Sequence, residues 1–118
     1  MTRFLVELGT GLDMHGGDVT KASVRAVEDA MHHCCLCGIH DTLGITDMRK
    51  VQVHIKIGCP RPEDVDREKI LALLPFGNGV IDDIVVGGLS AKGIHVPSMG
   101  DGDTIVVANA SLTVFVEA

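Results

Sequence analysis

Residues 51–57 (Val-Gln-Val-His-Ile-Lys-Ile) alternate strictly. Four β-branched residues face one way and Gln52, His54 and Lys56 face the other, the period of a half-buried strand. Residues 104–117 repeat the pattern over a longer run. Val106, Ala108, Ala110, Leu112, Val114 and Val116 share one face, and Asn109, Ser111 and Thr113 the other. Residues 3–8 alternate as well, placing Phe4, Val6 and Leu8 opposite Arg3, Leu5 and Glu7. Helical spacing begins after Asp18, a suitable N-cap. Val19, Ala22, Ala26, Val27, Ala30, Met31 and Cys34 would form the buried stripe of a helix from 19 to about 37, with Arg25 placed to meet Asp29 and Gly38 as its stop. Residues 39–49 have no steady period and read as a loop. A shorter helix is predicted over 61–74, with Val65, Ile70, Leu71 and Leu74 inward and Pro75 ending it. A strand over 80–86 follows an Asn78-Gly79 turn and stops at Gly87-Gly88. A short extended piece at 94–96 precedes a turn over 99–103.

The resulting order is β-α-β-α-β-β in one α+β domain over residues 1–118. Right-handed βα crossovers place both helices on one face of a mixed four-stranded sheet. The opposite face is expected to carry Glu7, Gln52, His54, Lys56, Asn109, Ser111 and Thr113, interspersed with Leu5, Ile105, Val107 and Phe115. It is too polar for a second core layer and too apolar for plain solvent. It reads as an oligomer interface or the wall of a wet central cavity.

Composition narrows the functional classes. The chain has 14 glycines, three phenylalanines and neither Trp nor Tyr, so its core is aliphatic and it lacks the aromatic platforms that stack single-stranded bases. A formal charge of −6 argues against a nucleic-acid partner. Mean hydropathy is +0.31, but no apolar run approaches the roughly 20 residues that span a bilayer. The first residues are broken by Glu7 and Gly9 and do not read as a signal peptide. The expectation is a cytoplasmic protein with reduced thiols, no membrane contact and no cofactor.

The densest candidate chemistry lies in Gly9-Thr-Gly11-Leu-Asp13-Met-His15-Gly16-Gly17-Asp18, read as a glycine loop from strand to helix N-terminus. Unpaired N–H groups and the helix dipole favour an anion there, and Lys21 adds a cation. The dinucleotide fingerprint fails because Met14 stands where the third glycine belongs, and no Walker pattern is present. Asp13 and His15, two apart, would share a side in an extended loop, so that the carboxylate could set the imidazole's tautomer for general acid–base work. Equally, Asp13 could cap backbone N–H groups and His15 lock the turn.

This stretch resembles the pattern GxGxDxHG, which marks a small family of conserved hypothetical bacterial and plant proteins. The similarity extends over nearly the whole chain, through residues 18–25, 56–60, 87–89 and 109–111. The resemblance implies no activity. It does imply a fold like that of trimeric chorismate mutase, the reactive-intermediate deaminases and the C-terminal domain of tubulin, with sheet order 1-4-2-3 and strand 4 antiparallel. It also implies trimers, or multiples of them, that bind ligands between subunits. Cyanuric-acid-type ring-opening amidohydrolases look like three such units in one chain.

Two other clusters carry candidate chemistry. Cys34, Cys35 and Cys37 among His32, His33 and His40 offer one C-x₂-C without a second ligand pair, and read as helix packing rather than a metal site. Ser90 and Lys92 read as a hairpin tip, with a Ser–Lys dyad as the sharper alternative. The leading expectation is therefore an oligomeric enzyme acting on a small polar cyclic amide or carbonyl compound. Asp13, His15, Lys21 and Glu7 would be its catalytic groups. Gly9, Gly11, Gly16, Gly17, Asp18, Arg25, His54, Lys56, Asn109 and Ser111 would line the ligand. The alternatives are a non-catalytic metabolite-binding or regulatory oligomer, and a metal-binding protein using Asp13 and His15.

Overall fold

The computed structural model describes residues 1–76 and 78–117. Strand β1 (Thr2–Asp13) leads to helix α1 (Val19–His32) and a single helical turn, α2 (Cys37–Asp41). Strand β2 (Val51–Cys59), helix α3 (Arg67–Leu71) and strands β3 (Gly79–Val86), β4 (Leu89–Lys92) and β5 (Thr104–Val116) follow. Among the described residues the sheet has five strands rather than the four expected. Its main path runs β1-β5-β2-β3, and β4 pairs with β5 beyond it. That path is the order that the family resemblance implies, with β2 and β3 parallel and the last strand antiparallel to both neighbours. The extra strand lies where a hairpin tip was expected. Leu89 to Lys92 pair with Val107 to Thr104, so extended structure falls at 89–92 rather than 94–96.

All helices cover one face. Ile55, Ile57, Leu112, Val106, Val114 and Val116 form the sheet side of the core, closed by Val27 of α1 and Ile70 of α3. Asp18 caps α1 as expected, accepting the backbone N–H groups of Thr20 and Lys21. The helix stops at His32, not near 37, because the next two side chains bond the sheet instead of extending the coil. His33 Nδ1 lies 3.0 Å from the Leu8 carbonyl oxygen, and Cys34 donates its thiol to Glu7 Oε1 at 2.7 Å. The helix expected over 61–74 is likewise reduced. Pro62–Asp64 forms a 3₁₀ turn, Val65 is extended, and Asp66 caps a fresh five-residue helix through the Glu68 and Lys69 N–H groups. Gly38, expected as a helix stop, lies inside α2.

Strand β1 departs furthest from expectation. Its pairing with β5 shifts register between Arg3 and Leu5. Such a slip exchanges the faces of all that follows. Glu7 therefore points to the helical face and is buried at 7 % exposure, whereas Val6, Leu8 and Leu12 face outward. The expected placement of Glu7 beside His54 and Lys56 is overturned. The strand also runs on through Gly9 and Gly11 to Asp13, paired with β5 throughout, so half of the expected glycine loop is sheet. No helix is long and apolar enough to cross a membrane among the described residues.

Candidate functional site

Gly9 and Gly11 are where α1 touches the sheet. A Cβ on Gly11 would stand 2.2 Å from the Ala22 carbonyl oxygen, and one on Gly9 2.3 Å from that of Ala26. With Ala22, Ala26 and Ala30 fully buried above them, these glycines serve backbone-to-backbone packing. The loop proper is the turn from Met14 to Asp18, where Gly16 and Gly17 take φ of 107° and 62°, conformations that L side chains resist.

Asp13, 4 % exposed, enters this turn as a structural ligand of the backbone. Its Oδ2 accepts the Asp18 N–H at 2.8 Å, and its Oδ1 lies 3.9 Å from Arg25 Nη1. Arg25 also donates to the Leu12 carbonyl at 2.6 Å. Arg61 donates to the Gly17 carbonyl at 2.5 Å and to Asp64 at 3.0 Å, tying the turn to the segment after β2. No hydrogen bond joins Asp13 to His15 among the described residues. His15 Nδ1 is buried without a partner, and Lys21 is exposed. The turn thus ties Asp13 to the Asp18 N–H and to Arg25, and among the described residues it leaves the His15 and Lys21 side chains without hydrogen-bond partners.

Glu7 is far from that arrangement in chemical terms, since its hydrogen-bond partner among the described residues is Cys34. The carboxylate's bond and charge, with burial adding to them, raise the Cys34 thiol from 9.0 to about 11, which keeps it protonated and a poor nucleophile. Burial also pushes the Cys59 thiol up. Among the described residues no group of three or more His, Cys, Asp or Glu side chains is placed to hold a metal ion.

The uncovered sheet face gathers the other expected residues in register rows. His54 faces Thr113, Lys56 faces Ser111 and Gly58 faces Asn109. On the far side of β5, Ser111 faces Leu8 and Asn109 faces Thr10, to which it donates at 3.4 Å. Lys56, Asn109 and Ser111 line a shallow cavity of about 210 Å³ with Leu8, Gly58 and Val85. One row away, His54 Nδ1 bonds Asp82 at 2.7 Å and Nε2 bonds Gln52 at 2.9 Å, while Phe115 packs edge-on against the ring. The period of β2 predicts Gln52 on this face but not its bond to His54, and it gives no sign of the contact with Asp82 on β3. The adjacent acids Asp82 and Asp83 inside a strand were the available signal. Val6 and Leu8 (67 % exposed) on β1, and Leu89 on β4 across β5 from them, add exposed apolar side chains to this face.

The profile of a conserved hypothetical protein family, Lin0512_fam, matches residues 3–114. Among solved structures, that of an FtsZ-like protein of unknown function from Nostoc punctiforme PCC 73102 superposes with a TM-score of 0.84 at 32 % identity, covering 99 % of this chain and 97 % of that one. No curated protein matches the chain.

Proposed function

The chain belongs to this conserved hypothetical family, Lin0512_fam, and we propose that it is an oligomeric protein that binds a small polar metabolite between its subunits. The reading rests on one observation. A sheet face with no layer over it carries large exposed side chains (Leu8, Leu89, Val6) beside a polar cluster of Lys56, Asn109 and Ser111. Large apolar side chains exposed on one uncovered face favour an interaction site, and a second copy of the chain would cover them. Lys56 would then meet an anionic or carbonyl oxygen, with the Asn109 amide and Ser111 hydroxyl supplying directional hydrogen bonds. The GxGxDxHG motif and a likeness to chorismate mutase, the reactive-intermediate deaminases and the tubulin C-terminal domain belong to the same proposal. The β1-β5-β2-β3 path and the description of the Nostoc protein as FtsZ-like support it.

Light scattering on the eluting protein tests the first half. The native chain is expected at a multiple of 12.5 kDa, and Leu8→Asp at the monomer mass with unchanged circular dichroism. A native monomer at micromolar concentration would end the proposal. For the second half, compounds that raise the melting temperature should lose that effect in Lys56→Met.

A catalytic reading is favoured by one further observation, the unpartnered Nδ1 of His15 beside the N-terminus of α1. If His15 does acid–base work, His15→Gln abolishes turnover of any substrate found while leaving binding in place. Retained turnover would leave His15 a structural residue.

A further inference from the structure

A second cavity lies on the opposite face of the sheet, under the helical layer. Because α1 ends at His32 and α3 spans only Arg67–Leu71, one end of the sheet is roofed by irregular chain. The roof leaves an apolar cavity of about 210 Å³. Its floor is Val53, Leu112 and Val114, all buried, and Phe76, 63 % exposed, stands at its rim. Met31 and Met48 form part of the wall, and unbranched thioether side chains adapt readily to differently shaped guests. An apolar cavity of about 150 Å³ accepts a benzene ring, so this one has room for a ring and a short chain.

One ionisable group lines it. Glu7 projects from β1 opposite Leu112 and is 93 % buried by the 7 % exposure given above. Among the described residues it accepts a single hydrogen bond, from the Cys34 thiol to Oε1. Among the described residues no Lys, Arg or His forms an ion pair with it. A buried carboxylate is costly unless a cation or several donors compensate it, and the chain provides one weak S–H donor. We propose that the cavity binds a small amphipathic amine, its apolar body on Val53, Leu112 and Val114 and its ammonium group on the free oxygen of Glu7. This site is independent of the open-face site, since the sheet separates them and they share no lining residue.

The test uses three probes of one shape: 2-phenylethylammonium, 2-phenylethanol and 3-phenylpropanoate. Each is titrated into the full chain and followed by the methyl resonances of Val53, Leu112 and Val114. The ammonium probe is expected to shift these methyls and to bind about tenfold more tightly than the alcohol, because a charge-assisted bond is worth more than a neutral one. The carboxylate should not bind. Glu7→Gln should cost the ammonium probe its advantage and change the alcohol less than about twofold. Met48→Trp, which fills the cavity from its wall, should stop both. Equal affinity for the three probes overturns the proposal, as does silence of the cavity methyls at about 10 mM ammonium probe, an affinity too weak to be selective. Should Glu7→Gln fail to fold, the three-probe comparison on the native chain still decides.

Discussion

Replacing Gly11 by alanine tests whether the motif glycines serve a ligand or the fold. The new Cβ would stand 2.2 Å from the Ala22 carbonyl oxygen and 2.3 Å from the Ala26 nitrogen. Ordinary contact begins at 3.4 Å, so α1 must retreat by roughly 1.2 Å at this point. The obstructing atoms are helix backbone and cannot rotate aside as a side chain would. Retreat also lifts Ala22, Ala26 and Ala30, all fully buried, from the sheet. Overpacking against side chains costs about 1–3 kcal/mol, and a rigid obstruction belongs at or beyond the top of that range. We expect Gly11→Ala to lose about 3 kcal/mol or more, a large part of the roughly 5–15 kcal/mol that holds a domain folded. The stiffer unfolded chain returns less than about 1 kcal/mol. Because the chain has no Trp or Tyr, urea unfolding is followed by far-ultraviolet circular dichroism. Gly44→Ala is the control: its φ of 67° is strained for alanine, but nothing lies within 4 Å, so about 1–2 kcal/mol is expected. A Gly11→Ala protein within about 0.5 kcal/mol of native, the scatter of ordinary surface substitutions, would refute the close-packing argument.

Four further outcomes follow from other contacts in the structure. Asp13→Ala strands the Asp18 N–H and should cost about 1–3 kcal/mol in urea unfolding. Asp18→Ala removes the cap of α1 and should cost about 1 kcal/mol by the same measurement. Cys34, with its thiol raised to about 11, should be alkylated by iodoacetamide at neutral pH more slowly than Cys35 and Cys37, as peptide mass spectrometry would show. Its folded value lies above the 9.0 of an unperturbed thiol. The stability it contributes is therefore complete below pH 9.0 and lost as pH rises towards about 11. Cys34→Ala should remove that alkaline decline.

Local pattern alone determined much of this protein. The alternation over 51–57 and 104–117, the Val19–Ala30 stripe and the Asp18 cap specify their elements, because each reads out a period or a terminus within a few residues of chain. The order of those elements, with right-handed crossovers, puts the helices on one face of a mixed sheet, whereas the strand order was implied by the family resemblance. The polar cluster of His54, Lys56, Asn109 and Ser111 was legible for the same reason: period-two positions on paired strands share a face. Tertiary structure decided what depends on partners distant in sequence. A register shift between Arg3 and Leu5 turned Glu7 from the open face to the buried one, and alternation cannot reveal a slip that arises only when β1 pairs with β5. Gly9 and Gly11 look the same in a ligand loop and in a strand; only the approach of Ala22, Ala26 and Ala30 distinguishes the two. The early end of α1 follows from bonds made by His33 and Cys34 to β1, and the cavity above Glu7 is a consequence of that ending. Periodicity is a property of the chain, whereas register, close approach and empty space are properties of the packed molecule.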